Sequence, residues 1–309
     1  MEILVPILSA AIRSGTPILY ATLGEILTEK AGVLNLGLEG LMLLGAFSGF
    51  SATMVTGNPW LGLAVAVLVG MLVSAIHAFL CVSMGANQVV SGLAITMFGT
   101  GLSALLGKAY VGETIRGIGV MPVPLLEKIP ILGPVFFNHD PLVYASYLLV
   151  GFLCWFIAST RWGLTLRAVG ENPRAVDSAG LNVTLLRYAY TMIGGGFAAL
   201  GGAYLSVVYT QMWVEMMTAG RGWIAVALVI FGIWNPLRAA FGSYLFGGVG
   251  ALQLRIQAAG TTIPAPLLLM LPYVLTIAVL VAISIKKGKG ILLGAPAALG
   301  QPFHREERD

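Results

Sequence analysis

Few side chains in this 309-residue chain could do chemistry, and those that could are set deep in apolar sequence. Glu39 stands in Asn35-Leu-Gly-Leu-Glu39-Gly40, at the start of a long apolar run. A charge at the centre of a spanning helix costs about 2.5–3.5 kcal/mol on insertion scales, so such a residue faces a cavity or a partner. Asn35 and Glu39, four apart, are expected on one helical face. Together they would bond a small polar ligand; alternatively Glu39 caps a neighbouring broken helix or stays near the membrane surface. Asn87 and Gln88 open a later run, where Asn87 is placed to be a helix N-cap. Tyr209, Gln211, Trp213 and Glu215 offer aromatic faces beside amide and carboxylate groups, which suits a flat polar ring. Trp and Tyr also gather at membrane interfaces for ordinary amphipathic reasons. Arg221, beside them, is a candidate for contact with an external partner.

Bond-making chemistry has nothing to stand on. HExxH, GxSxG and CxxC are absent, and His77, His139 and His304 fall in three different environments. Gly101–Lys108 resembles a phosphate-binding loop only superficially: five residues separate its glycines where four are needed, and Ala109 replaces Ser or Thr. Cys81 and Cys154 lie inside apolar runs, where a cysteine behaves as a small hydrophobe. No metal, cofactor or nucleotide is expected on this chain, and any ATP-driven work must be done by a separate subunit.

The elements that position these residues belong in lipid. Hydrophobic residues make up 58% of the chain and charged ones 10%, with a mean hydropathy of +0.90. The 40 glycines allow close helix approach and breaks where backbone lines a cavity. An all-α, polytopic membrane bundle in one domain, residues 1–295, follows. A span needs about 20 mainly apolar residues. The runs that qualify are 3–24, 34–55, 60–81, 89–107, 141–159, 188–209, 222–236, 238–255 and 267–285, so about nine (8–10) spans are expected. The pair at 222–255 reads equally as broken or re-entrant helices, because Asn235-Pro236 interrupts it. The N-terminus lacks a cationic lead and a cleavage site and is read as a retained first span.

Thr160–Arg187 is the exception, a polar segment with four arginines between two apolar runs. Placing it inside puts Lys30, Arg238, Lys286, Lys287, Lys289, Arg305 and Arg308 inside as well, leaving Arg13, Lys108, Arg116, Lys128, Arg221 and Arg255 elsewhere. That bias favours N-terminus out and C-terminus in. The net charge of +4 is thus a matter of orientation, and nucleic acid is not implied. Within the segment, Asn172-Pro173 can start a short helix and Gly180 can end it. Trp162 and Leu164 anchor the segment at the interface, and Thr160–Ala168 and Val183–Arg187 lead the chain out of and back into the membrane. Either the short helix presents Arg174, Asp177 and Ser178 to a partner, or the segment is an ordinary solvated loop. Lys108–Asp140, rich in Gly and Pro, favours turns and extended chain and would cap the outer mouth. The tail 296–309 is polar and expected to be disordered.

Gly170-Glu-Asn-Pro-Arg-Ala-Val-Asp-Ser-Ala-Gly-Leu-Asn182 resembles the G-x-N-x-x-A-A-x-x-A-G-I/L segment of ABC-importer permeases of the branched-chain amino acid and simple-sugar superfamily. Val176 stands where that family usually has Ala. Tyr20–Phe47, Gly220–Gly232, Gln253–Gln257 and Leu269–Tyr273 are similar to signatures of its nucleoside-type branch, so the likeness spans nearly the whole chain. The resemblance implies a coupling helix at Glu171, Asn172, Pro173, Arg174, Ala175, Asp177, Gly180 and Asn182 that seats in an ATPase. It also implies a second permease subunit forming a heterodimer, an ABC ATPase carrying the ATP and Mg, and a lipoprotein or periplasmic substrate-binding receptor. The expected function is ATP-driven import of nucleosides, with simple sugars the alternative, by alternating access across the bacterial cytoplasmic (inner) membrane. Asn35, Glu39, Asn87, Gln88, Tyr209, Gln211 and Trp213 are the candidate substrate path, with a ribose hydroxyl or base edge as the partner of the first two. The rival reading is an ion-coupled secondary transporter working alone, with Glu39 as its proton or sodium site.

Overall fold

The apolar runs fold as helices whose ends fall where the sequence supplies caps. In the computed structural model, which describes residues 4–260, 264, 267–268, 270–272, 274–275, 277–278, 281 and 294–303, the chain forms α1 (Leu4–Lys30), α2 (Leu38–Thr56), α3 (Pro59–Ala78), α4 (Gln88–Gly107), α5 (Leu132–Phe136) and α6 (Pro141–Ser159). Then follow α7 (Arg161–Glu171), α8 (Pro173–Ser178), α9 (Val183–Ala203), α10 (Arg221–Phe231) and α11 (Pro236–Ala258). One π-helical turn extends α3 to Ser83 and another extends α9 to Tyr209. Among the described residues there is no strand, only two isolated bridges, Val111 to Trp213 and Thr114 to Met212.

The turn between α2 and α3 shows the local logic. Gly57 takes φ 68° to end α2, and Asn58 accepts the amides of Trp60 and Leu61 to start α3. Pro59 occupies the first helical position, where its missing N–H costs nothing. Asp140 and Pro141 repeat the device at α6.

Among the described residues, six helices are long and apolar enough to cross a membrane: α1, α2, α3, α4, α6 and α9, the third, fourth and last taken with their continuations. The run at 222–236 is not among them. Its helix, α10, has 11 residues and reaches about 16 Å at 1.5 Å per residue, half of a hydrocarbon core of about 30 Å. The expected span 238–255 lies within α11, and the expected ninth run, 267–285, falls largely outside the described residues.

Backbone proximity at small residues holds the centre. A methyl group on Gly45 of α2 would overlap the Ala199 carbonyl of α9, and one on Gly202 of α9 would overlap the Met42 carbonyl of α2. Larger residues there would force the helices apart, which is how small residues promote helix association in lipid. α9 packs in the same way on α1, where Gly24 faces Gly194. α11 runs back along α1, with Trp234 near Glu29 at one end and Gly247 beside Ala11 and Gly15 at the other. Leu68, Leu72, Met97, Phe98, Leu148 and Trp155 turn outward and exposed from α3, α4 and α6, as lipid-facing side chains do.

Two expectations need correction here. Thr160–Glu171 is not a simple lead-out but a helix, because Thr160 caps it through the Gly163 amide and Leu166 and Val169 bury on one side. The tail is not disordered throughout: 296–303 packs on the bundle end formed by α1, α7 and α9. The segment 108–140 is mostly turns, as its Gly and Pro content implies, yet includes α5. It lies over the opposite end of the bundle, where the Ile115 amide bonds to the Gln211 carbonyl at 3.0 Å. Beside it His139 gives its Nε2 proton to the Val135 carbonyl at 2.7 Å, and burial lowers its pKa.

Gly202→Ala is expected to cost about 1–3 kcal/mol through overpacking and to lower the melting temperature in detergent. Gly151→Ala, which meets open space, is expected to leave it unchanged.

Candidate functional site

Glu39 lies in the first turn of α2, 5% exposed, aimed at the start of α10. Its Oε1 accepts the Thr218 hydroxyl at 2.5 Å and the Gly220 amide at 2.9 Å, and its Oε2 accepts the Gly222 amide at 2.7 Å. The carboxylate therefore caps a helix that begins inside the bundle. Hydrogen bonds to charged groups contribute about 1.5–3 kcal/mol each, and a carboxylate at a helix N-terminus gains a further 0.3–2 kcal/mol or so from the macrodipole. Three such bonds offset the ~2.5–3.5 kcal/mol that an intramembrane charge costs. Of the roles open to Glu39, the structure shows the cap of a broken helix.

Asn35 does not share a helical face with Glu39, because α2 begins only at Leu38. Its side chain instead turns back to the Gly37 amide at 2.8 Å, and its own amide bonds to Glu25 Oε1 at 2.9 Å. Gln88 serves the same turn, its Oε1 accepting the Leu34 amide at 2.6 Å. His77 donates from Nε2 to the Leu34 carbonyl at 3.1 Å, which leaves Nδ1 to accept from Ser91 at 2.9 Å. Asn87 is the N-cap of α4, bonded to the Val90 amide at 3.1 Å. Asn35 and Gln88 thus brace the Ala31–Gly37 turn that carries α2.

The group at 209–215 is divided. Trp213 is fully buried against Phe47, Phe50 and Tyr110, so it neither meets the lipid interface nor lines an open path. The sequence leaves Trp213 either on the substrate path or at the membrane interface; the Gly107 backbone gives the indole a buried place instead. Tyr209 stacks on Tyr204 and lies under the Arg13 guanidinium, Gln211 is half-buried, and Glu215 is exposed.

Glu25 and Glu29 stand in the last turns of α1. Both are buried, and Glu29 Oε2 accepts the Trp234 indole N–H at 2.6 Å, directly after α10. The half-helix is held at both ends, by Glu39 at its start and by Glu29 just past its finish. The chain around it is strained: Gln211, Met216, Ala219, Ile233 and Trp234 all have φ between 47° and 57°. Non-glycine residues in that region cost about 1–3 kcal/mol each and persist only where surroundings fix them. The signal in the sequence was the Gly24-Glu-Ile-Leu-Thr-Glu29 spacing, which sets both carboxylates one helical turn apart.

At the end of the bundle reached by α6, Asn172 caps α8 through the Ala175 amide at 3.1 Å. Gly180 closes it at φ 81°, with the Gly180 amide on the Asp177 carbonyl and the Leu181 amide on the Val176 carbonyl. This paired closure satisfies the last carbonyls of the helix. Val176 alone in α8 is buried, packed with Val169, Val183 and Phe303, so the residue that departs from the expected Ala fills an apolar contact. Glu171, Asn172, Arg174, Ala175, Gly180 and Asn182 are exposed, Pro173 and Asp177 half-buried. A cavity of about 510 Å³ opens beside them, lined in part by Asp177, Gly180, Asn182 and Phe303. Among the described residues no group of His, Cys, Asp and Glu could hold a metal.

Glu39→Ala would leave the Gly220 and Gly222 amides and the Thr218 hydroxyl without their acceptor, at about 1–3 kcal/mol each. Thr218→Val removes one of the three bonds. The expected order of melting temperature in detergent is wild type, then Thr218→Val, then Glu39→Ala, and equal temperatures for the two variants would refute the cap.

The sequence model of the family described as "Branched-chain amino acid transport system / permease component" matches residues 7–280. The chain is 42% identical to a putative glucose ABC transporter permease of Haloferax volcanii, over 97% of this chain and 98% of the relative. It is 36% identical to a nucleoside ABC transporter permease of Lactococcus lactis, over 86% and 88%. With a guanosine ABC transporter permease of Bacillus subtilis it shares 35% over 100% and 99%. Haloferax volcanii and Bacillus subtilis each hold a second, more distant permease match, named for glucose and guanosine respectively. With its apolar helices of span length, this multi-pass membrane protein belongs to the ABC transporter permease family of branched-chain amino acid transport system components.

Proposed function

We propose that this chain is one of two permease subunits of an ATP-driven importer, and that α8 is where a partner ATPase pushes. The observation that carries the reading is the form of α8: a helix capped at both ends by its own sequence, with one side chain buried and Arg174 and Ala175 presented outward. Such an element keeps its shape without a partner and offers itself to one. The basic residues of this end of the chain favour its lying in the cytoplasm. The mechanism is rigid-body displacement. Partner closure would move α8, α7 and α9 would follow, and α10 would change posture between its two glutamate holds, changing the side to which the path opens.

Nine crossings with the N-terminus out and the C-terminus in fit this arrangement. Six are the long helices, α10 with the turns that precede it supplies a seventh, α11 is the eighth, and the last apolar run the ninth. The paired permeases of the two organisms above support a second permease, and an ATPase carrying ATP and Mg and a substrate-binding receptor complete the system. The membrane is the bacterial cytoplasmic (inner) membrane. The substrate is a nucleoside or a simple sugar, following the names its relatives bear. Asn35, Asn87, Gln88 and Trp213 serve as scaffolding in this reading, and Tyr209 and Gln211 stay as candidates for the path. A solitary ion-coupled transporter would need the Glu39 carboxylate free to hold its ion, whereas three donors already occupy its oxygens.

Two measurements test this reading. Arg174→Glu combined with Asp177→Lys is expected to abolish ATP-dependent uptake while the protein stays in the membrane; normal uptake refutes the docking assignment. Uptake of labelled guanosine, uridine, ribose and glucose, in cells with and without the gene, is expected to show loss for nucleosides or sugars. No loss for any of the four refutes the substrate class.

A further inference from the structure

The C-terminal segment Gly294–Phe303 bonds to α7, to the turn after α1 and to α9 at one end of the bundle. The Ala298 amide bonds to the Gly170 carbonyl at the end of α7 at 2.8 Å, and the Ala297 amide to the Glu171 carboxylate at 3.3 Å. The Gly300 amide bonds to the Gly32 carbonyl, just past α1, at 3.2 Å. Gln301 gives its carbonyl to Arg187 Nη1 of α9 at 3.0 Å. Phe303 completes the apolar cluster of Val169, Val176 and Val183, and so touches α7, α8 and α9 together. Arg187 is 1% exposed, and its guanidinium lies against Gly32. A cation there complements the C-terminal end of the α1 macrodipole.

This strap has a mechanical consequence. α1 carries Glu25 and Glu29, and through them it holds the turn before α2 and the turn after α10. Val176 is the single buried residue of α8, and it packs on Phe303 of the strap. We infer that the strap is a transmission element: it fixes α8 to α1, so that a push on α8 reaches the glutamate-held half-helix, with Phe303 and Arg187 as positioning residues. The inference rests on α8 being the ATPase contact. It adds that the contact is completed, and made productive, by residues more than a hundred positions further along the chain.

The test uses the full complex of both permeases, ATPase and receptor, reconstituted in vesicles, and reads substrate taken up per ATP hydrolysed. Phe303→Asp puts a carboxylate into the valine cluster. It is expected to lower uptake per ATP about fivefold or more, the low end of the range for coupling between sites, with ATP hydrolysis and the amount of assembled complex retained. Phe303→Leu is expected to restore the wild-type ratio. If Phe303→Asp fails to assemble, Phe303→Ala is read in its place and is expected to lower the ratio in the same direction. Hydrolysis and uptake falling together, or a wild-type ratio in an assembled Phe303→Asp or Phe303→Ala complex, overturns the inference. The two readings fail separately: normal uptake by Arg174→Glu with Asp177→Lys removes α8 as the contact. A dead double variant beside strap variants of wild-type ratio removes only the strap.

Discussion

A polypeptide can break a helix inside a hydrocarbon layer only if something takes up the backbone groups that the break exposes. With no water at hand, each unsatisfied group costs several kcal/mol. Here that demand is met by one carboxylate. Glu39 accepts two amides and a hydroxyl at the start of α10, and the remainder of the 211–234 region is arranged around that fact. The five left-handed non-glycine residues lie on either side of α10, in chain that needs a fixed anchor to stay in so costly a conformation. The helix N-terminus, the charge and the strain are mutually dependent, and none would be stable in lipid alone.

The same stretch of sequence supplies the other fixed points. Glu25 and Glu29 stand in the last turns of α1 and Glu39 in the first turn of α2, and each secures a piece of backbone elsewhere: the turn before α2, the turn after α10 and the start of α10. Gly45 and Gly202 let α2 and α9 approach until backbone meets backbone, so α2 is a rigid mount for its glutamate. At the end where α7 and α8 lie, the strap joins α8 to the end of α1. A bundle built this way consists of rigid pieces joined at a few polar holds, which suits the displacement proposed for it.

Much of this was legible in the residues. Apolar runs of span length, with Asn-Pro and Asp-Pro punctuation, marked the helices because the cost of exposed backbone in lipid leaves few alternatives. Asn172, Pro173 and Gly180 marked α8, since capping is local chemistry. The shortness of α10 was half visible in Asn235-Pro236. What could not be read was anything decided between distant segments. Trp213 reads as interfacial until Phe47 and Phe50 are known to surround it. Asn35 and Glu39 obey helical spacing, but the helix begins after Asn35, because Glu25 and Gln88 hold that turn extended. The strap, short and followed by the polar HREERD, reads as part of a free tail, and its backbone partners Gly170, Glu171, Gly32 and Arg187 are all remote in sequence.

The central claim is that one buried carboxylate keeps a half-helix folded within the membrane. Amide hydrogen exchange over Thr218–Phe231, compared between the wild-type chain and Glu39→Gln in lipid nanodiscs, tests it most directly. A glutamine offers one acceptor oxygen where the carboxylate offers two, so the account predicts faster exchange at Gly220, Gly222 and the first turn of α10, with α2 and α9 as protected as before. Equal protection of Gly220 and Gly222 in the two proteins would contradict it.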